Sequence, residues 1–150
     1  MNKFSIVLFE PEIPPNTGNI ARLCAGTDTP LHLIEPLGFS LSDKYLKRAG
    51  LDYWPNVNLT VWKNWEQFRQ NGPEGRLVFT SAKRGTNIFK FKFEAGDLIV
   101  FGPETRGLPI EFFTDDSSSI NIPINKKIRS LNLSTSAGIA LYQAMSQLFS

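Results

Sequence analysis

Three short stretches of this chain hold side chains able to do chemistry. The first, Asn16-Thr17-Gly18-Asn19-Ile20-Ala21-Arg22, opens on residues that cap helices. Free N–H groups at such a helix start suit a phosphate, and Arg22, further in, can reach the same anion. The second, Gly102-Pro103-Glu104-Thr105-Arg106-Gly107, sets a carboxylate and a guanidinium between two glycines, directly after the apolar run Leu98–Phe101. Glycine at a strand end lets a ligand approach the backbone, and Pro103 with Pro109 stiffens the loop as a preorganised site requires. The third, residues 123–134, carries Lys126, Lys127 and Arg129 into a helix start capped by Ser130 or Asn132. That triplet can contact a polyphosphate. Each stretch also has a plain structural reading: a capped helix, a tight loop with an ion pair, a solvated basic loop.

Several common chemistries lack their residues. No G-x-G-x-x-G follows the first strand, and there is no G-x-x-x-x-G-K-[ST] and no G-x-S-x-G. The single histidine, His32, falls inside a strand, which reads as a packed residue rather than a catalytic relay. The single cysteine, Cys24, lies on the apolar face of a helix and reads as a buried thiol. One cysteine and one histidine support neither a structural zinc site nor a disulfide framework, and no metal is expected.

The elements that must position these stretches alternate. Strands are predicted at Phe4–Phe9, Leu31–Ile34, Leu59–Trp62, Leu77–Thr80, Leu98–Phe101 and Ser119–Ile122. Prolines 11, 14 and 15 exclude helix from residues 10–15, so the first helix is expected to begin at Asn16 or Thr17. A short basic helix capped by Ser42-Asp43 runs through Arg48, and Asn64 caps another through Gln70. Residues 81–87 read as a polar loop, and Leu108–Phe113 as a short helix begun by Pro109. The last and longest helix, 132–149, places Leu133, Ala137, Ala140, Leu141, Ala144 and Leu148 on one stripe. Its alanines are a candidate close-packing surface for a second copy. Strands apolar on both faces, alternating with helices, predict an α/β fold with a parallel sheet covered on two sides. Ligands of such sheets bind at the carboxyl ends of strands, where loops 10–19, 80–87, 102–107 and 123–132 fall.

Length and composition agree with one domain, residues 1–150. A chain of 150 residues buries roughly 68–70% of its unfolded surface. Apolar residues make up 41% and charged residues 20%, ordinary for a globular protein. The net charge of +2 with a pI near 8.8 permits a polyanion partner without requiring one. The first apolar run is too short for a signal peptide or a membrane span, so a cytoplasmic location without a membrane partner is expected.

Taken together, N-T-G-N-I-x-R, F-G-P-E-T-R-G-L-P and I-P-I…R-S-L-N-L-S-x-S resemble the three motifs of the SPOUT superfamily of RNA methyltransferases. The opening EPEIPPNTGNIARLC and LHLIEPLGF resemble its small YibK-like group, tRNA 2′-O-methyltransferases acting on the wobble nucleotide. The resemblance spans essentially the whole chain. It implies a Rossmann-like parallel-sheet SPOUT fold whose C-terminal part forms a deep trefoil knot. It also implies a homodimer that binds S-adenosylmethionine in bent form and takes tRNA as substrate.

Carried over by motif position, the resemblance implies that Thr80, Gly102, Ile122, Ser130 and Leu131 hold the methyl donor. The reaction centre it implies consists of Asn16, Arg22, Glu104, Ser130 and Asn132, with Arg22 supplied by the other subunit. Arg22 is then either the general base or, since guanidinium is protonated below about pH 12, the group that stabilises the alkoxide or pins a phosphate. Arg106 has three readings: a partner for Glu104, a brace for its loop, or an RNA contact. Two other functions stay open at this point: a methyltransferase for another tRNA position or ribosomal RNA, and a non-catalytic nucleotide- or RNA-binding module.

Overall fold

The computed structural model describes residues 3–50 and 54–149. In chain order the elements are β1 (Ser5–Phe9), α1 (Pro14–Thr27), β2 (Leu31–Ile34), α2 (Lys44–Gly50), β3 (Leu59–Trp62), α3 (Trp65–Asn71), β4 (Leu77–Thr80), β5 (Thr86–Asn87), β6 (Leu98–Phe101), β7 (Ser118–Asn121) and α4 (Leu133–Leu148). The strands form one sheet in the order β3-β2-β1-β6-β4-β7-β5, and every pairing is parallel. Every strand therefore ends at the same edge.

The apolar runs are buried on both sides, as a parallel sheet demands. Side chains alternate across a strand, so Ile6 and Leu8 face one core layer while Val7 and Phe9 face the other. The first layer is closed by Ile20, Ala21 and Cys24 of α1 and by Ala137, Ala140, Leu141 and Ala144 of α4. The second is closed by Trp65 and Phe68 of α3 with Phe112 and Phe113, a cluster of aromatic rings at edge and stacked contacts.

Four local expectations change. Helix α1 begins at Pro14, with Ile13 as its cap residue, so neither Asn16 nor Thr17 caps it. The first turn of a helix has no internal partners for its N–H groups, so prolines there lose nothing. Asn16 and Thr17 are buried inside that turn. Residues 86–87 form the short strand β5 within the expected loop, pairing with Ile120 and Asn121. The helix expected at 108–113 is a single tight turn, Ile110–Phe112, because Pro109 stays extended with ψ 140°. Strand β7 starts and ends one residue earlier than expected.

The alanine stripe of α4 is not a surface. Ala137, Ala140 and Ala144 are wholly buried within the single chain, where small side chains let the helix sit close to the sheet. Expected burial of His32 and Cys24 is observed. The Trp62 indole N–H donates to His32 Nδ1 at 3.0 Å, and burial lowers the imidazole pKa to about 4. Burial raises the Cys24 thiol to about 12, so it stays protonated.

Candidate active site at the carboxyl edge of the sheet

The loops after β1, β6, β4 and β7 leave four adjacent strands at one edge, and three of the motif side chains meet there. Glu104 is the anchor. Its carboxylate accepts the backbone N–H groups of Glu12 and Ile13, each at 2.9 Å, and the Asn16 amide at 3.1 Å. These bonds hold the chain at the entry to α1, where Ile13 is the cap residue. A carboxylate also suits the positive end of the helix.

Asn16 continues the chain of bonds. Its Oδ1 accepts from Asn132 Nδ2 at 3.0 Å. Asn132 in turn caps α4: its Oδ1 accepts the N–H of Ser134 at 2.9 Å and the Ser134 hydroxyl at 2.6 Å. Of the two cap candidates for the last helix, Asn132 is therefore the one used. Glu104, Asn16 and Asn132 form a single connected run from three distant parts of the sequence.

A second staple was not legible in the motifs. Thr105 donates its N–H and its hydroxyl to the Glu12 carboxylate, both at 2.8 Å. The Thr105 backbone bond, then its hydroxyl bond, hold the Glu12 carboxyl below its ordinary pKa, against a smaller opposing effect of burial. Arg106 bonds Glu10 at 3.1 Å and approaches Glu12 at 3.9 Å. It braces the loop against β1–α1 and does not pair with Glu104. The signal available in the sequence was the acidic, proline-flanked Glu10-Pro11-Glu12 set before a helix.

Gly102 has a packing reason of its own. A Cβ there would lie 2.4 Å from the Leu108 nitrogen and 2.5 Å from the Gly107 carbonyl carbon. The close approach is of the loop to itself. Gly107, at φ 72°, supplies the left-handed residue that closes it, and its N–H reaches the Pro103 carbonyl at 2.8 Å. Thr80 ends β4 and donates its hydroxyl to the Val100 carbonyl at 2.9 Å.

The remaining predicted residues are arrayed around this core. Ile122 and Leu131 are half-buried, and Ser130 is exposed, in the loop from β7 to α4. Lys126, Lys127 and Arg129 are exposed on the same loop. Among the described residues, the Lys127 N–H on this loop is taken by Asn125 Oδ1 at 2.9 Å. Arg22 lies on the exposed side of α1. Six residues past Asn16, it is about 9 Å along the helix and roughly a third of a turn around it.

A profile described as the SpoU rRNA Methylase family matches residues 3–142. The chain belongs to that family. Among SpoU methylases it is 51% identical, over 96% of its length and 95% of the relative's, to a protein of Methylovorus glucosotrophus named tRNA (cytidine(34)-2′-O)-methyltransferase. An Aeromonas hydrophila protein of the same name is 46% identical over 95% and 93% of the two chains. A solved structure described as giving insights into the 2-OH methylation of C/U34 on tRNA superposes with TM-score 0.91, at 45% identity, covering 97% and 96%. The SpoU methyltransferase AviRb of Streptomyces viridochromogenes, solved with the cofactor AdoMet, superposes with TM-score 0.83 at 25% identity. This chain covers 62% of that larger relative. The parallel-sheet α/β fold implied by the sequence resemblance is thus that of a SpoU methylase. No helix among the described residues is long and apolar enough to cross a membrane.

Proposed function

We propose that this protein methylates the ribose 2′-hydroxyl of the wobble nucleotide of tRNA, cytidine or a modified uridine at position 34, using S-adenosylmethionine. The observation that carries the reading is the Glu104–Asn16–Asn132 run, which joins all three motifs at one sheet edge. The full-length likeness to named wobble-cytidine methyltransferases supports the substrate. A ribosomal RNA substrate, suggested by the family's description, has less support than these relatives give to tRNA.

The residues present fit the donor. Thr80, Gly102, Ile122, Ser130 and Leu131 would hold it, with backbone groups of these loops reading the adenine. Bound S-adenosylmethionine supplies a sulfonium methyl that passes to the ribose oxygen, leaving S-adenosylhomocysteine and a proton. The protein's part is orientation first. Asn16, Ser130 and Asn132 line the reacting position, and Glu104 positions Asn16. Arg22 of the partner in a homodimer stabilises the developing alkoxide or pins the adjoining phosphate, the role a permanent cation can fill. Acid–base help at the hydroxyl adds to this. The dimer surface in this reading is the outer side of α4, where Ile139 and Tyr142 stand exposed three residues apart.

The test is incubation with labelled S-adenosylmethionine and bulk tRNA, followed by mapping of the modified ribose. Label at the nucleotide 34 ribose is expected. Donor binding without label in tRNA would redirect the assignment to another RNA. Absence of donor binding would sink the enzyme reading.

A further inference from the structure

The exposed cations at the carboxyl edge differ sharply in their surroundings. Arg106, on the loop after β6, is committed to Glu10 and Glu12. Lys83 and Arg84 on the loop after β4, and Lys126, Lys127 and Arg129 on the loop after β7, are all exposed. Among the described residues, none of these five lies within ion-pair distance of a carboxylate. Residues 81–87 and 122–132 contain no Asp or Glu at all. The whole chain carries a net charge of only +2, so these loops gather the positive charge into one place.

The two loops are fastened to each other. Strands β4 and β7 are neighbours, and Asn121 Nδ2 donates to the Ser81 carbonyl at 3.0 Å, joining the roots of the loops. Ser81 Oγ accepts the N–H groups of both Lys83 and Arg84 at 3.1 Å. Gly85, at φ 101°, lies so close to β7 that a Cβ would sit 2.8 Å from the Ile120 nitrogen. On the other loop the Lys127 N–H bonds Asn125 Oδ1 at 2.9 Å. Such fastening lowers the ordering cost of binding. It also keeps like charges together at a standing cost that a polyanion relieves.

We infer that Lys83 and Arg84 extend the basic loop at Lys126, Lys127 and Arg129 into one track for the sugar–phosphate backbone of the substrate RNA, beyond the reacting nucleotide. The inference rests on the RNA substrate proposed above. Several spaced cations without a partnering acceptor suit a run of phosphates, which contributes affinity without reading sequence.

The experiment measures tRNA binding against salt between about 50 and 200 mM, the range over which phosphate contacts are lost. Lys83→Ala with Arg84→Ala should flatten the log–log salt slope by about 1.4–1.8 and weaken binding at the midpoint about tenfold. The charge-keeping Lys83→Arg with Arg84→Lys should restore the slope, which separates lost contacts from lost fold. Lys63→Ala with Arg69→Ala removes the same charge at the other end of the sheet and should leave the slope in place. An unchanged slope in the first variant, or an equal fall in the Lys63 and Arg69 variant, overturns the inference. So does displacement of tRNA by micromolar inorganic phosphate, which would mark a single-anion pocket. If the wild type methylates tRNA while the first variant keeps its slope, this inference alone fails. If the wild type neither binds nor methylates tRNA, the proposed function fails with it.

Discussion

Thr105 donates both its N–H and its hydroxyl to the carboxylate of Glu12, a residue 93 positions earlier in the chain. One residue back, Glu104 returns the favour by accepting the N–H of Glu12 itself. The two loops therefore clasp each other through reciprocal backbone-to-carboxylate bonds. Because these bonds hold the Glu12 carboxyl below its ordinary pKa, its ionised form stabilises the fold. That contribution is complete above the unfolded carboxylate pKa of about 4.3 and fades as pH falls through the lower folded value. Glu12→Gln should lower the melting temperature by roughly 3 °C at pH 7, from the loss of about 1 kcal/mol. The gap to wild type should narrow as pH falls below the unfolded value of about 4.3. A gap that persists in acid would remove the carboxylate from the explanation.

Gly102→Ala tests the self-packing of the β6 loop. With backbone atoms 2.4 and 2.5 Å from the added Cβ, the loop must open, at about 1–3 kcal/mol. Calorimetry should show that loss, and donor binding should fall with it. Gly26→Ala, where nothing lies within 4 Å, should raise stability by up to about 1 kcal/mol. If Gly102→Ala melts like wild type, the loop is not closed as described.

Asn132 has two jobs that one substitution separates. Asn132→Asp keeps the oxygen that caps α4 but loses the amide that reaches Asn16. Its melting temperature should stay within about 2 °C of wild type, while kcat falls at least tenfold, on the order of one lost positioning contact. Asn132→Ala should lose the cap too, at about 1 kcal/mol. Equal kcat values for wild type and Asn132→Asp would confine this residue to capping.

In the proposed homodimer the contact surface is the outer side of α4. Ala140 is fully buried in its own chain, so Ala140→Arg would break the fold and report nothing about association. Ile139→Glu with Tyr142→Glu alters side chains that are 37% and 55% exposed. Light scattering should find a folded monomer, and methyl transfer should be lost if, as proposed, Arg22 is supplied by the partner. A fully active monomer would overturn the shared-site arrangement.

His32 supplies a second pH signature, unrelated to catalysis. Burial lowers its pKa to about 4, against about 6.5 in the unfolded chain. The unfolded state therefore takes up a proton first as pH drops. The neutral, packed imidazole gives its full stability above pH 6.5 and loses it progressively down to about 4. Denaturant titrations over that window should show a steeper loss in wild type than in His32→Phe. Parallel curves would place the titrating group elsewhere.

Strand and helix periodicity was readable because apolar side chains such as Ile6, Val7, Leu8 and Phe9 fill both faces of one sheet. The motif spacing was enough to bring the family within reach. What misled was local chemistry whose sign depends on tertiary partners. Prolines 14 and 15 read as helix breakers, whereas they occupy the first turn of α1, where proline loses no helical bond. The alanines of α4 read as a surface because nothing in a single helix says which neighbour its small side chains admit. Arg106 had three readings because its partners, Glu10 and Glu12, come from another loop.

The bond between Asn16 and Asn132 spans 116 positions, and that separation bears on how the protein is made. Contacts this distant along the chain slow the search for the native state. A nascent chain still missing its last helix has no cap at Asn132, no partner for Asn16 and no way to complete the edge. The edge is therefore complete only once the last helix has been made.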